Sequence, residues 1–138
     1  MKIKDIMSRD IKYISPESGI DEAAKIMEDD DIGFVPVVSD GLLCGVLTDR
    51  DITLRCVAKK SNPDNMTAKD VMSTRLVHIS PDHSITEAAR LMAKEQIRRL
   101  PVCEDGRLVG IITLGDISRC KNYFSETAAA FCDISKPE

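Results

Sequence analysis

A threonine followed three residues later by an aspartate stands at Thr48-Asp49-Arg50-Asp51 and again at Thr113-Leu114-Gly115-Asp116. Each follows a glycine and two aliphatic residues, Gly45-Val46-Leu47 and Gly110-Ile111-Ile112, and each leads into isoleucine. An ionised carboxylate can accept from both vicinal hydroxyls of a ribose through charge-assisted bonds. The threonine hydroxyl can donate to a ribose or phosphate oxygen, and the N–H groups of a following helix start favour an anion. The carboxylate repels a phosphate placed too near, so the sugar must sit between the two. The same pattern, with a hydroxyl residue at the N-cap and an acid at N3, is also the capping box of ordinary helices. Ser84 and Glu87 form such a pair here. One pair of side chains can serve both purposes.

The elements that position these residues come from an internal repeat. Residues 5–52 align with 70–117 without a gap, at an offset of about 65, with roughly 21 of 48 positions identical. Two copies are too few for a solenoid and favour two units packed about a pseudo-twofold axis. In the first copy Asp5-Ile6-Met7 makes at most a helical turn, and Lys12-Tyr13-Ile14 is a short strand ended by Ser15-Pro16. Ile20, Ala23, Ala24 and Met27 recur at i, i+3, i+4 and i+7, which predicts a helix from Ile20 to Glu28. Phe34–Val38 and Leu42–Leu47 read as a hairpin around Asp40-Gly41, repeated at Asp105-Gly106. Thr48 then opens a helix running to about Ala58. Each copy is thus βαββα, and the chain is α/β (α+β by strand order) with helices on a small sheet. The boundaries read as a first repeat over 1–58, a linker over 59–69 rich in turn formers, a second repeat over 70–117 and a C-terminal helical extension over 118–138. Asn122 and Ser125 are its candidate caps.

Composition narrows the function classes. The 138 residues fit one compact domain, and a chain of this size buries about 68–70% of its unfolded surface without disulfides or metal. A net charge of -4 argues against nucleic acid held on a basic face. Five cysteines include no C-x-x-C pair, and neither histidine stands beside one in metal-ligand spacing. They read as free thiols in a reducing compartment, so no metal site is expected. No apolar run approaches the ~20 residues that span a bilayer, and no signal peptide opens the chain. The reading is a soluble, cytoplasmic protein. The acidic run Glu28–Asp31 reads as a solvated helix end. No nucleophile stands near a base in sequence, so an enzyme is not expected and no catalytic residue or catalytic cofactor is assigned.

The ordered set Ile-Ser-Pro, Glu-Ala-Ala, Met, Pro-Val, Asp-Gly, Gly and Thr-x-x-Asp-Ile, present twice over residues 5–117, resembles a tandem pair of CBS domains, or Bateman module, like small stand-alone bacterial CBS-pair proteins. The resemblance implies two repeats packed sheet to sheet, homodimerisation, and clefts between the repeats that bind AMP, ADP, ATP, S-adenosylmethionine or NAD-type molecules.

By that resemblance Asp51 and Asp116 are the ribose-binding residues, and Thr48 and Thr113 contact ribose or phosphate. Tyr13, Ile14, Pro16 and Pro36 line adenine with their counterparts His78, Ile79, Pro81 and Pro101. Arg98 and Arg99 match a basic pair that holds phosphate in some members, and Arg50 is a further phosphate candidate. Gly33 and Phe34 occupy the positions of the arginine pair in the first repeat, so the two clefts are unequal. The family pairs Thr113/Asp116 with Met7–Ile14, and Thr48/Asp51 with Ser73–Ile79. The implied function is a regulatory, ligand-sensing module that signals to a partner protein. The alternative is a structural or protein-interaction dimerisation module with empty clefts.

Overall fold

The computed structural model describes residues 1–137. The chain divides into two compact units. The internal unit is Lys12–Leu76; the terminal unit is Met1–Ile11 together with the chain from Val77 onward.

The internal unit is built on a hairpin of β1 (Phe34–Ser39) and β2 (Leu42–Thr48). Its turn has positive φ at both Asp40 (52°) and Gly41 (80°), the two-residue geometry whose twist matches the flanking strands. α1 (Ile20–Asp30) precedes the hairpin and α2 (Asp49–Ile52) follows it. α2 continues as a wider π turn over Thr53–Val57, where Ala58 N–H donates to Thr53 O five residues back at 2.8 Å. α3 (Ala68–Val71) completes the unit. Ile14, Ile20, Ala23, Val35, Val37 and Leu47 form the centre of its core.

The terminal unit repeats the design with α4 (Ile85–Glu95), β3 (Arg99–Glu104), β4 (Arg107–Thr113) and α5 (Leu114–Ser118). Asp105 and Gly106 turn the hairpin at φ 53° and 79°. Ile3, Ile85, Met92, Leu100, Ile112 and Ile117 are fully buried in its core. α6 (Phe124–Ile134) packs along α4, buries Ala130, and accepts a bond from Gln96 Nε2 at Asp133 O, 3.0 Å.

Three local expectations are refined. The first strand of each repeat shrinks to one bridged residue, Ile14 on Val37 and Ile79 on Val102, because the following Ser-Pro cannot extend a ladder. Ala24 of the predicted apolar stripe is exposed while its counterpart Ala89 is buried; α4 has α6 beside it, whereas α1 packs on β1 and the 63–65 turn. Neither Asn122 nor Ser125 caps α6: its N-cap is Tyr123 with no side-chain bond, and Ser125 lies inside the helix. The acidic end of α1 is offset by cations, with Lys25 on Glu28 (2.9 Å) and Asp29 (3.2 Å), and Lys12 on Asp30 (2.7 Å). The two acids hold the exposed Lys25 ammonium above its ordinary pKa.

The leader of each unit is what brings distant sequence to the site. In the terminal unit Ile3 N–H donates to His83 O (2.9 Å) and Lys4 N–H to Pro81 O (3.0 Å). In the internal unit the equivalent bonds run from Ala68 N–H to Ser18 O (2.8 Å) and Lys69 N–H to Pro16 O (3.0 Å). Each leader thus docks on the Ser-Pro turn before a core helix, then runs on to the second strand of the hairpin.

Candidate functional site

Both Thr-x-x-Asp segments are complete capping boxes. Asp51 N–H donates to Thr48 Oγ1 (3.1 Å) and Thr48 N–H to Asp51 Oδ2 (3.0 Å). Asp116 N–H donates to Thr113 Oγ1 (3.0 Å) and Thr113 N–H to Asp116 Oδ2 (2.8 Å). These bonds satisfy backbone donors that a helix start leaves orphaned. They use the hydroxyl as an acceptor and one carboxylate oxygen. The threonine O–H proton and Oδ1 of each aspartate lie outside the cap.

A third segment of the same form, Thr67-Ala68-Lys69-Asp70, supplies a contrast within the chain. It too is a capping box, with Thr67 N–H on Asp70 Oδ2 at 2.9 Å. That backbone bond, followed by the Thr67 hydroxyl and Lys69, holds the Asp70 carboxyl below its ordinary pKa. Asp70 is exposed. Asp51 and Asp116 are not, with side chains 13% and 17% exposed. Capping needs no burial, so the recessed position of these two carboxylates is a separate feature.

A leader is bridged to the strand just before each of them. Ser73 exchanges both backbone bonds with Val46 (2.8 and 3.0 Å), and Ser8 does the same with Ile111 (2.9 and 3.0 Å). The bridged residues lie two before Thr48 and Thr113. Close approach requires glycine just before them: a Cβ on Gly45 would stand 2.6 Å from Met72 Sδ and 3.0 Å from Ser73 O. A Cβ on Gly110 would stand 2.5 Å from Met7 Sδ and 3.1 Å from Ser8 O. In the internal unit this brings Ser73 Oγ to 3.5 Å from Asp51 Oδ1. The serines are repeat equivalents, so a signal for them existed in the alignment of the two copies.

The free oxygens meet different arginines. Asp116 Oδ1 is bonded directly by Arg119 Nη2, from one turn further along, and the Arg119 side chain is otherwise 72% exposed. Asp51 Oδ1 has Arg55 Nη1 at 3.8 Å. That nitrogen is committed elsewhere, to Val71 O (2.8 Å) and Met72 O (3.0 Å), where it ties the leader to α2. The first-residue positions differ as well. Leu114 is buried, and its N–H donates to Arg98 O at 2.8 Å. Asp49 is exposed, donates its N–H to Gly33 O at 3.1 Å, and lays its carboxylate against the glycine. Arg55, Arg119, Asp49 and Gly33 were not anticipated as site neighbours. Arg119 carried a sequence signal as an i,i+3 partner of Asp116; the Asp49–Gly33 contact is made across the hairpin and carried none.

The other predicted site residues fall as follows. Ile14 and Ile79 are buried backbone anchors: Ile14 N–H donates to Pro36 O and Ile79 N–H to Pro101 O, each at 3.1 Å. Pro36, Pro81 and Pro101 are buried and Pro16 is half-buried. Tyr13 and His78, which directly precede the anchors, are exposed. Arg50 and Arg98 are exposed and Arg99 is half-buried. Of the candidates, the internal unit holds Thr48, Asp51, Arg50, Tyr13, Ile14, Pro16 and Pro36; the terminal unit holds Thr113, Asp116, Arg98, Arg99, His78, Ile79, Pro81 and Pro101. Among the described residues no three His, Cys, Asp or Glu side chains gather as metal ligands, and no helix is long and apolar enough to cross a membrane.

Comparison with known proteins agrees with this geometry. The CBS domain model matches residues 3–57 and 68–122. CBS domain-containing protein YhcV of Bacillus subtilis (strain 168) is 42% identical over 134 residues, 96% of this chain and 94% of that protein. Hypoxic response protein 1 of Mycobacterium tuberculosis (strain H37Rv) is 35% identical over 117 residues, 84% of this chain and 82% of that protein. The crystal structure of Hypoxic Response Protein I with two coordinated zinc ions superposes with a TM-score of 0.80 at 34% identity, covering 86% of this chain and 98% of that one. The CBS domain pair of protein MJ0100, in complex with 5-methylthioadenosine and S-adenosyl-L-methionine, superposes with a TM-score of 0.72 at 32% identity, covering 88% and 96%.

Proposed function

Because this chain belongs to the CBS-domain family, as a tandem pair of such domains, we propose that it is a regulatory module that senses an adenosine-containing ligand and signals to a partner protein. The observation that carries the reading is the state of Asp51 and Asp116. Each is recessed, each spends one oxygen on its helix cap, and each keeps Oδ1 outside it. A ribose diol supplies two hydroxyl donors to such an oxygen, and the threonine O–H is left to donate in turn. The relative that holds 5-methylthioadenosine and S-adenosyl-L-methionine, at 32% identity, supports the ligand class. Among nucleotides, AMP, ADP, ATP and NAD-type molecules share the same diol. Arg98, Arg99 and Arg50 are the candidate phosphate contacts. Pro36 and Pro101, with the backbone groups at Ile14 and Ile79, are the candidate adenine walls.

A ligand shifts the module only through its differential affinity for two arrangements of the chain. The leaders are the elements placed to respond, because each both docks on a core and adjoins a ribose carboxylate. The reading includes a homodimer: Leu54, Val57, Phe124 and Phe131 leave apolar surface exposed, and light scattering giving a single-chain mass at every concentration would remove that part. The function itself is tested by isothermal titration with AMP, ATP, S-adenosylmethionine and 5′-methylthioadenosine. At least one binds, and the double variant Asp51→Asn/Asp116→Asn loses that binding while keeping the circular-dichroism spectrum of the folded chain at the assay temperature. Absence of binding at about millimolar ligand overturns the reading.

A further inference from the structure

The two Thr-x-x-Asp segments share their caps and differ in the charges around them. In the terminal unit the first helical residue is Leu114, buried at 6% exposure, and its N–H donates to the carbonyl of Arg98, which with Arg99 leads into β3. Arg119 adds a third guanidinium, directly on the free oxygen of Asp116. In the internal unit every one of these features is replaced. Asp49 takes the place of Leu114, and Gly33-Phe34 takes the place of the arginine pair. A Cβ on Gly33 would stand 2.8 Å from Asp49 Oδ2 and 3.0 Å from its Cγ, so the carboxylate fills the space a longer residue at position 33 would need. Arg50 stands between two carboxylates in the chain, Asp49 and Asp51, and Arg55 Nη1, 3.8 Å from Asp51 Oδ1, is bound to backbone carbonyls. The exchange is coherent: one unit sets a guanidinium on the free oxygen of its recessed carboxylate and carries an arginine pair at the start of its hairpin, whereas the other adds a second anion, lacks the pair, and commits its nearest arginine to backbone carbonyls.

From this we propose that the two elements select different classes of adenosine compound. The Thr113/Asp116 element takes 5′-phosphorylated nucleotides, with Arg119 leaving Asp116 for the phosphate as the ribose hydroxyls replace it on the carboxylate. The Thr48/Asp51 element takes adenosine compounds that carry no anion at the 5′ position, because Asp49 and Asp51 together repel one. Like-charge juxtaposition discriminates strongly in a partly desolvated site, whereas the neutral adenosine moiety is common to both classes. The proposal rests on the adenosine reading above and adds the charge of the ligand to it.

The test uses the full chain and two probes that differ only at the 5′ group, AMP and 5′-methylthioadenosine, measured by isothermal titration. Asp116→Asn and the pair Arg98→Ala/Arg99→Ala lower AMP affinity by about tenfold or more, and Asp51→Asn does the same for 5′-methylthioadenosine. Asp49→Asn, at an exposed position where folding is not at stake, admits a second AMP per chain. If Asp116→Asn weakens both probes alike and Asp49→Asn leaves the AMP stoichiometry as it was, the charge selection is overturned while the adenosine reading stands. If neither probe binds the unaltered chain, both are overturned.

Discussion

Gly110→Ala tests whether the leader is held against the site as tightly as the geometry states. The new Cβ would lie 2.5 Å from Met7 Sδ, 3.0 Å from Met7 Cγ and 3.1 Å from Ser8 O. Two of these contacts are to a flexible side chain, but that side chain is buried, at 8% exposure, in the terminal core. The third is to backbone pinned by two bonds to Ile111. Neither neighbour can withdraw without uncovering apolar surface or stretching the bridge. Overpacking of this kind costs about 1–3 kcal/mol, a fall in melting temperature of about 3–10 °C for a chain of this size. Chemical denaturation followed by circular dichroism gives the free energy directly.

Two companions make the result interpretable. Gly115→Ala lies in α5, where the nearest atoms to a new Cβ are 3.5 and 3.6 Å away. There the lost backbone freedom of the unfolded chain should raise stability by about 0.4–1 kcal/mol. Met7→Ala alone is destabilising because it vacates the core, yet combined with Gly110→Ala it removes the clash, so the double variant should be more stable than the sum of the singles by about 0.5 kcal/mol or more. Gly110→Ala within about 0.5 kcal/mol of the parent, or strict additivity in the cycle, would refute the argument that the glycine exists to seat the leader.

Other expectations are briefer. Thr113→Val deletes the hydroxyl that accepts Asp116 N–H and should cost about 0.5–2 kcal/mol of stability by urea titration; an unchanged midpoint would mean the cap is dispensable. Asp70 has its folded pKa held below the ordinary 3.8 by Thr67, so its contribution is present above that value and is lost as pH falls through the lower folded pKa. Asp70→Asn should therefore lower the melting temperature at neutral pH, with the difference from the parent shrinking as acid protonates the parent's carboxylate; a pH-independent difference would contradict the cause assigned. Burial pushes the Cys103 thiol up, and Cys132 is exposed. A disulfide reagent at pH 8 should modify Cys132 first and reach Cys103 only as the chain unfolds; fast modification of Cys103, read by peptide mapping, would show that its site opens.

What could be read from the chain and what could not divides along the range of the interaction. The hairpins were legible because Asp-Gly at positive φ is a local requirement. The core helices were legible from their period, and the Ser84–Glu87 cap from its spacing. Asn122 and Ser125 misled as caps because propensity names residue types suited to a helix start, while packing of α6 on α4 sets where the helix begins. The roles of Gly45 and Gly110 were hidden although both were conspicuous, since the atoms they make room for, in Met72 and Met7, belong to leaders docked by nonlocal bonds. The same holds for Asp49 against Gly33. Among the candidates matched by family pattern, Thr48, Asp51, Thr113 and Asp116 have capping as their local job; the loss of the arginine pair at Gly33-Phe34 was readable from the repeat, whereas Arg119, Arg55 and the Asp49–Gly33 contact were found only from the contacts.

The three Thr-x-x-Asp segments bear on why the carboxylates matter beyond capping. At 67–70 the box closes on the surface, so water completes the solvation of Asp70. At 48–51 and 113–116 the same box closes just past a strand bridged by a docked leader, and little of either carboxylate meets water. A recessed anion needs partners for the lone pairs that water no longer serves. Asp116 obtains a guanidinium that is itself largely in solvent and free to leave; Asp51 obtains a serine hydroxyl at 3.5 Å and an arginine at 3.8 Å, both too long for strong bonds. Both carboxylates are thus held by replaceable or incomplete partners at the one oxygen the cap does not use. Capping alone does not require that arrangement, and on the adenosine reading proposed above a pair of ribose hydroxyls would complete it.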